Sequence, residues 1–271
     1  MTNTLPDSLT HYTTIQGFMG IVDSKGFWAS NASFLNDRKE LVHGLEGAER
    51  AIFKLKGVLD PSLRRLLSTV IQEIKDGLLP ATYVTCFCAK NDLLSQWRGY
   101  GGSEQGISIQ FPREVLEKRM ARQKAKLTKV IYSDLSTETK VREALAEEMK
   151  DLLDWENVLG DQSDDERKAG VFEAVSKLLP RFKHLGFQDE REWRFVVQHP
   201  VEADDLLFRP KGAVIAPYIV LGMGKAKLPM QSVTIGPGRE MELTQASVRL
   251  FLDRRGYENV PVKVSRVPFR S

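Results

Sequence analysis

The spacing of apolar residues predicts short strands and amphipathic helices along the first half of the chain. Ile15, Phe18, Met19 and Val22 recur at helical spacing after His11-Tyr12-Thr13, so a strand or turn followed by a helix is expected there. Further strands are predicted at 27–30, 83–89, 107–111 and 129–132, with helices at 41–53 and 61–76.

The second half of the chain changes from helical patterns to strand patterns. Long helical patterns cover 137–155 and 166–185, strand patterns cover 193–198, 213–221, 232–235 and 260–267, and a last helix covers 245–254. Because strands dominate the end of the chain, the sequence predicts an α+β fold. We expect a mixed or mainly antiparallel sheet core in a single domain, 1–271, with a helical insertion at about 134–186.

Composition narrows the class of protein. Of the 271 residues, 42% are apolar and 28% are charged, which excludes collagen-like and wholly disordered chains. The longest apolar runs, such as 215–221, are far shorter than the roughly 18 residues that a membrane span needs, so no membrane partner is expected. A polar N-terminus predicts no signal peptide. With Cys86 and Cys88 as the two cysteines, we expect a reducing cytoplasm and no metal site.

A basic segment lies near the middle of the chain. Six basic residues and no acid occur over 118–129, in a stretch of good helix formers. Such a segment is either a solvated helix face or a surface that follows nucleic-acid phosphates. The candidate nucleic-acid-binding residues are Lys118, Arg119, Arg122, Lys124, Lys126 and Lys129.

Aromatic and guanidinium groups occur together in a predicted loop over 92–105. Trp97, Arg98 and Tyr100 stand there beside consecutive glycines. This mixture suits stacking on a flat ring and contact with a phosphate. A tryptophan that anchors the loop to the core is the alternative.

A charged segment, Asp189-Glu190-Arg191-Glu192-Trp193-Arg194, precedes an apolar strand. Glu190 and Glu192 would point to one side of an extended chain, about 6 to 7 Å apart along the strand. Two carboxylates at that spacing can flank a glycosidic bond. The alternative is a charged strand entry whose Glu and Arg side chains pair on the surface. His11 also has two interpretations: it is either a site residue or a hydrogen-bonded structural histidine.

Together these motifs resemble a widespread bacterial family catalogued as a domain of unknown function, whose members occur near mobile elements and phage-defence genes. The resemblance extends over nearly the whole chain. The motifs that carry it are His11-Tyr12-Thr13, Phe34-Leu35-Asn36-Asp37, Cys86-Phe87-Cys88, Trp97-Arg98-Gly99-Tyr100 and Glu190-Arg191-Glu192-Trp193-Arg194.

The order of these motifs is also similar to that of mono-ADP-ribosyltransferases, which implies an ADP-ribosyltransferase-like fold with NAD as co-substrate. The similarity implies that His11, with Tyr12 and Thr13, fixes NAD, and that an aromatic ring from the Trp97 loop stacks on nicotinamide. It also implies that Glu192 stabilises the oxocarbenium-like transition state, while Glu190 acts on the acceptor.

Three hypotheses follow from the sequence. The first is an NAD-consuming ADP-ribosyltransferase or NAD glycohydrolase in phage defence or a toxin–antitoxin system. Its acceptor would be a nucleic acid or a protein, and a cognate antitoxin or defence partner would accompany it. The second is a nucleic-acid-binding or nuclease-like defence protein that uses the basic segment. The third is a non-catalytic sensor or antitoxin partner.

Overall fold

A computed structural model describes residues 5–35, 44–46, 49–50, 61–100, 105–133, 143–144 and 163–268. Its strands are β1 (Ser8–Thr14), β2 (Phe27–Asn31), β3 (Thr82–Cys88), β4 (Gly106–Pro112), β5 (Lys126–Lys129), β6 (Ile131–Ser133), β7 (Phe182–His184), β8 (Glu192–Gln198), β9 (Leu207–Lys211), β10 (Val214–Leu221), β11 (Ser232–Ile235) and β12 (Val262–Val264). Its helices are α1 (Ile15–Ser24), α2 (Pro61–Lys75), α3 (Leu94–Tyr100), α4 (Arg113–Met120), α5 (Asp164–Leu178) and α6 (Met241–Arg254).

A large, mainly antiparallel sheet organises the described residues. Its strand order is β12-β11-β4-β1-β3-β2-β10-β9, with β8 on the other edge of β3 and β5 beyond β8. Within this sheet β11 and β12 run parallel, and β6 and β7 form a separate parallel pair. The predicted mixed, mainly antiparallel sheet with several helices is therefore confirmed.

The sheet branches at β3. One edge of β3 pairs with β8 along its whole length, from Thr82 to Cys88. The opposite edge is shared, because β2 pairs near its start, at Tyr83 and Val84, and β1 pairs at its end, at Cys88. Within the described residues, β1 and β2 thus diverge beside the middle of β3 and leave a gap around Cys86.

The predicted strand followed by a helix is confirmed at β1 and α1. Thr14 caps the helix, since its side-chain oxygen accepts a hydrogen bond from Gly17 N at 3.1 Å. The helix packs a buried face of Phe18, Ile21 and Val22 against the sheet. This packing fixes the first turn of α1 beside the gap.

The described residues form two large hydrophobic cores. Phe27, Phe87, Phe111 and Phe195 make edge-on contacts in the core of the large sheet. Helices α2 and α5 pack together in the second core. In the part of the chain that is described, no helix is long and apolar enough to cross a membrane.

Some sequence predictions need correction. The predicted loop over 92–105 contains α3, and the predicted helix over 166–185 ends at Leu178 before β7. The basic segment is not one helix, because α4 ends at Met120 and Lys124 takes a left-handed conformation (φ 59°) before β5. Most of the predicted helix at 137–155 lies outside the described residues, as do much of the predicted insertion at 134–186 and most of the helix predicted at 41–53.

Candidate functional site

A cavity of about 570 Å³ opens at the gap between β1 and β2. It is lined by side chains from β1, α1, β2, β3, β8 and β9. Those that bear on its chemistry are His11, Trp28, Ser30, Arg194, Arg209 and Lys211. Of the residues predicted to bind a cofactor, the cavity is lined by His11, Tyr12 and Thr13.

His11 lies at the inner wall of this cavity. Its Nδ1 lies 2.8 Å from the carbonyl oxygen of Cys86, at the point where β3 has no strand partner on that edge among the described residues. A carbonyl only accepts, so Nδ1 carries the proton, and Nε2 of the neutral ring is an acceptor. Burial lowers the pKa of His11 to about 4, so the ring is neutral at pH 7.

Arg209, on β9, also lines this cavity. Its guanidinium lies over the rings of Trp28 and Tyr218, 5.4 and 5.6 Å from their centres. Nη2 donates to the Ser30 hydroxyl at 2.7 Å. The sequence analysis missed this residue, because Trp28, Tyr218 and Arg209 are far apart in the chain and meet only through the pairing of β2, β10 and β9.

The charged groups around the cavity are basic. Arg194, Arg209 and Lys211 line it, and no carboxylate does among the residues that the structure describes. Arg194 is neutralised by its ion pair with Glu192. Positive charge from Arg209 and Lys211 therefore lies on the β9 side.

Glu192 belongs to a buried ion cluster behind the cavity. Arg194 donates from Nε to Oε1 at 2.7 Å and from Nη2 to Oε2 at 2.9 Å, and Lys183 Nζ donates to Oε2 at 3.0 Å. Burial raises the pKa of Glu192, but Arg194 and Lys183 outweigh it and bring the pKa down to about 2. Glu192 is therefore ionised at pH 7.

Glu190 belongs to the same cluster, but it does not lie beside Glu192 on an extended strand as predicted. It ends a 3-10 turn, and Arg191 then takes a left-handed conformation (φ 48°), so Glu190 and Glu192 do not share an extended strand. Both carboxylates instead contact Lys183 Nζ, at 2.6 and 3.0 Å. The alternative of Glu–Arg pairing on the surface is also wrong, because Glu192 and Arg194 are buried.

A second cavity, of about 60 Å³, connects this cluster to His11. Its lining includes His11, Cys86, Gln96 and Glu192. The Cys86 thiol is hydrogen-bonded to Glu192. His11 and Cys86 also line the larger cavity, so they stand between the two spaces.

Sheet register explains why these groups meet. Cys88 on β3 is the partner of Thr10 on one edge and of Glu192 on the other. The strand that carries His11 and the strand that carries Glu192 thus flank the same central strand. These residues are 181 positions apart in sequence, His11 to Glu192.

Trp97 anchors α3 to the core, which is the alternative that the sequence left open. Its ring is 6% exposed, its Nε1 donates to Asp92 Oδ1 at 2.9 Å, and it meets Tyr12 edge-on at 4.8 Å. A Cβ added at Gly236 would lie 2.7 Å from the ring, so only glycine fits there without a shift. Tyr12 is held in turn, since its hydroxyl donates to Lys90 O and accepts from Leu93 N.

The two other aromatic-loop candidates have different positions. Arg98 is exposed on α3, and its neighbour Gly99 lines the larger cavity. Tyr100 ends α3, and its side chain lies outside the described part of the structure. Their proposed contact with a cofactor stays a prediction.

The six basic candidates divide into two groups. Arg119 stabilises the fold, because its guanidinium donates to four backbone carbonyl oxygens, those of Gly222, Lys227, Lys25 and Ala226. The other five side chains are exposed: Lys118, Arg122, Lys124, Lys126 and Lys129. Among the described residues no group of three or more histidines, cysteines and acids is placed to hold a metal ion.

Comparison with known proteins gives a family for the central part of the chain. Residues 96–195 match a family described as a protein of unknown function, DUF2971. The prediction of a domain-of-unknown-function family is thereby confirmed over that range. The matched residues run from α3 to β8 and include Trp97, the basic segment and Glu192. No curated protein and no solved structure matches this chain.

Proposed function

We propose that this protein binds NAD at the gap between β1 and β2 and consumes it, as an ADP-ribosyltransferase or NAD glycohydrolase. The observation that carries the proposal is the neutral His11 at the wall of a basic cavity of about 570 Å³. A nucleotide presents sugar hydroxyls, which are donors to Nε2, together with phosphates, which require cations. Both kinds of partner line this cavity.

The position of Glu192 supports the catalytic part of the proposal. Cleavage of the bond between nicotinamide and ribose builds positive charge on the sugar, and a fixed, ionised carboxylate lowers that barrier. Glu192 is ionised and held rigidly by Arg194 and Lys183. It borders the small cavity that adjoins His11. We assign it electrostatic stabilisation, and we assign Glu190 orientation of the acceptor.

The arrangement of strands supports an ADP-ribosyltransferase-like fold as part of the same proposal. In chain order, β1 carries His11, β3 is the central strand, and β8 carries Glu192. The β1 and β8 strands flank β3, and β1 and β2 separate beside it. This gap is what gives a nucleotide access between the strands.

The exposed basic residues indicate an acceptor for the transferred group. Lys126 and Lys129 lie on β5, which pairs with β8, the strand of Glu192. A nucleic-acid acceptor bound there would place its phosphates near the catalytic strand. Use of such an enzyme in phage defence or with a cognate antitoxin is proposed from the sequence resemblance.

Nicotinamide release from NAD by the purified protein tests the activity. His11→Asn retains a donor near the position of Nδ1 but removes the Nε2 acceptor, so we expect weaker NAD binding in this variant. Glu192→Gln is expected to reduce turnover about 10²- to 10³-fold, the effect of losing one preorganised electrostatic group. His199→Asn is the matched control, since His199 pairs with Asp205 and does not line either cavity.

Three results would contradict the proposal. They are wild-type turnover in Glu192→Gln, unchanged NAD affinity in His11→Asn, and no nicotinamide release by the wild type with nucleic-acid and protein acceptors supplied. The last result would leave the nucleic-acid-binding and non-catalytic alternatives.

A further inference from the structure

We infer that Arg209 forms a phosphate-binding subsite of the larger cavity, with a diphosphate as the chemical group that it takes. The inference rests on the proposed function, because it names the part of the nucleotide that β9 holds. It adds a residue outside the matched family range of 96–195 and outside every motif of the sequence analysis.

The Arg209 guanidinium is held in place before any ligand arrives. Trp28 and Tyr218 lie on β2 and β10, paired antiparallel, and Arg209 lies on the next strand. The two rings and the Ser30 hydroxyl together fix the plane of the guanidinium. Gly20 of α1 supports Trp28 from another side, since a Cβ there would lie 2.5 Å from the indole. Little side-chain entropy is then lost when an anion binds.

Arg209 also has an unpaired N–H donor. Its Nε is buried and has no hydrogen-bond partner among the described residues. An unsatisfied buried N–H of this kind costs free energy, which is recovered if a small shift of the side chain brings Nε to a ligand oxygen. Because a guanidinium presents its N–H groups as a planar fork, phosphate oxygens are suitable acceptors.

The surroundings of Arg209 favour an anion with more than one charge. Lys211 lies two residues further along β9, on the same face, and lines the same cavity. Thr14 and Gly17, at the N-terminal turn of α1, also line it, and a helix N-terminus adds partial positive charge. Since two cations face the cavity from β9, a diphosphate fits better than a single carboxylate.

The ligand would therefore span the cavity from β9 to β1. A diphosphate on Arg209 and Lys211 places an attached ribose toward His11, whose Nε2 accepts from a hydroxyl. Adenosine, which has no phosphate, retains only the second of these interactions.

Calorimetric titration of the wild type with inorganic pyrophosphate, ADP and adenosine tests the subsite. We expect pyrophosphate and ADP to bind, and adenosine to bind much more weakly. Arg209→Met should weaken pyrophosphate and ADP binding about 10- to 100-fold, the effect of losing charged hydrogen bonds. Arg209→Lys should retain part of the affinity, because the charge remains while the fork is lost. ADP binding with no pyrophosphate binding would place recognition on the nucleoside and overturn the subsite.

Arg255→Met is the matched control, because Arg255 also stacks on a ring, that of Phe251 at 4.9 Å, and does not line the cavity. Thermal melting verifies that each variant is folded, and Lys211→Gln gives a second variant, with several-fold weaker binding expected. Equal pyrophosphate affinity in wild type and Arg209→Met would overturn the subsite, as would no binding by the wild type. Pyrophosphate binding without nicotinamide release would instead leave the subsite standing and count against the proposed function.

Discussion

Arg194 and Glu192 lie two residues apart on β8 and form a buried, two-pronged ion pair, with Nε and Nη2 at 2.7 and 2.9 Å from the two carboxylate oxygens. Lys183 adds a third donor to the same carboxylate at 3.0 Å. All three side chains are buried, so each charge is stable in the interior only because the opposite charges lie beside it. A substitution of Glu192 is therefore expected to change the stability of the fold as well as any catalytic activity.

Glu192→Gln is expected to lower the free energy of unfolding by about 3 kcal/mol, because it leaves two buried cations with one carboxylate. Urea denaturation measures this change. The matched control is Glu173→Gln, an exposed carboxylate paired with Lys177, for which a change below about 0.5 kcal/mol is expected. Equal stability of wild type and Glu192→Gln would show that the buried pairing contributes nothing to the fold.

The same cluster should make the fold sensitive to acid. The pKa of Glu192 is about 2 in the folded protein against an ordinary value of 4.5, so the unfolded chain binds more protons between these pH values. Its contribution is complete above pH 4.5 and is lost as the pH falls toward 2. Denaturation series at several pH values should show a smaller slope in this window for Glu192→Gln than for the wild type.

His11 should produce a separate pH effect. Its pKa is lowered from 6.5 to about 4 by burial, so the folded state holds the neutral ring and the unfolded chain binds the extra proton. Stability should therefore fall as the pH decreases from 6.5 to 4. In His11→Asn this part of the slope should disappear, while in His199→Asn it should remain. A slope that His11→Asn leaves unchanged would contradict burial of the neutral ring.

Trp97→Phe separates stacking on a ligand from anchoring of α3. Phenylalanine retains ring contact with Tyr12 but removes the 2.9 Å hydrogen bond to Asp92, so we expect a stability loss of about 1 kcal/mol. NAD affinity should be unchanged. Loss of NAD affinity without loss of stability would favour the stacking role.

The basic segment should act through its exposed lysines. Lys124→Glu combined with Lys126→Glu should weaken binding to nucleic acid and reduce its salt slope by about 2, since each phosphate contact contributes close to one unit. Arg119→Gln should instead lower the melting temperature, because Arg119 holds four carbonyl oxygens. Unchanged affinity and salt slope in the double variant would remove the segment from any nucleic-acid site.

Local pattern was sufficient for much of the fold. The helix of Phe18, Ile21 and Val22 forms as predicted, because its buried face repeats with the helical period. The strand after Trp193 also forms as predicted, because its apolar run is buried on both faces of the sheet. Errors occurred where backbone conformation at one residue decides the outcome. Lys124 and Arg191 take left-handed conformations, so the basic segment is not one helix and Glu190 and Glu192 do not share an extended strand.

The sequence by itself determined the fold class and the family resemblance of the central part of the chain. It also identified His11 and Glu192 as candidate site residues. Only the tertiary structure decided which partners they have. Lys183 joins Glu190 to Glu192, and Arg209 enters the cavity from β9, although no local pattern marks either residue. The physical reason is that strand pairing brings distant segments within a few ångströms, and burial then sets the charge of each group by the neighbours it acquires.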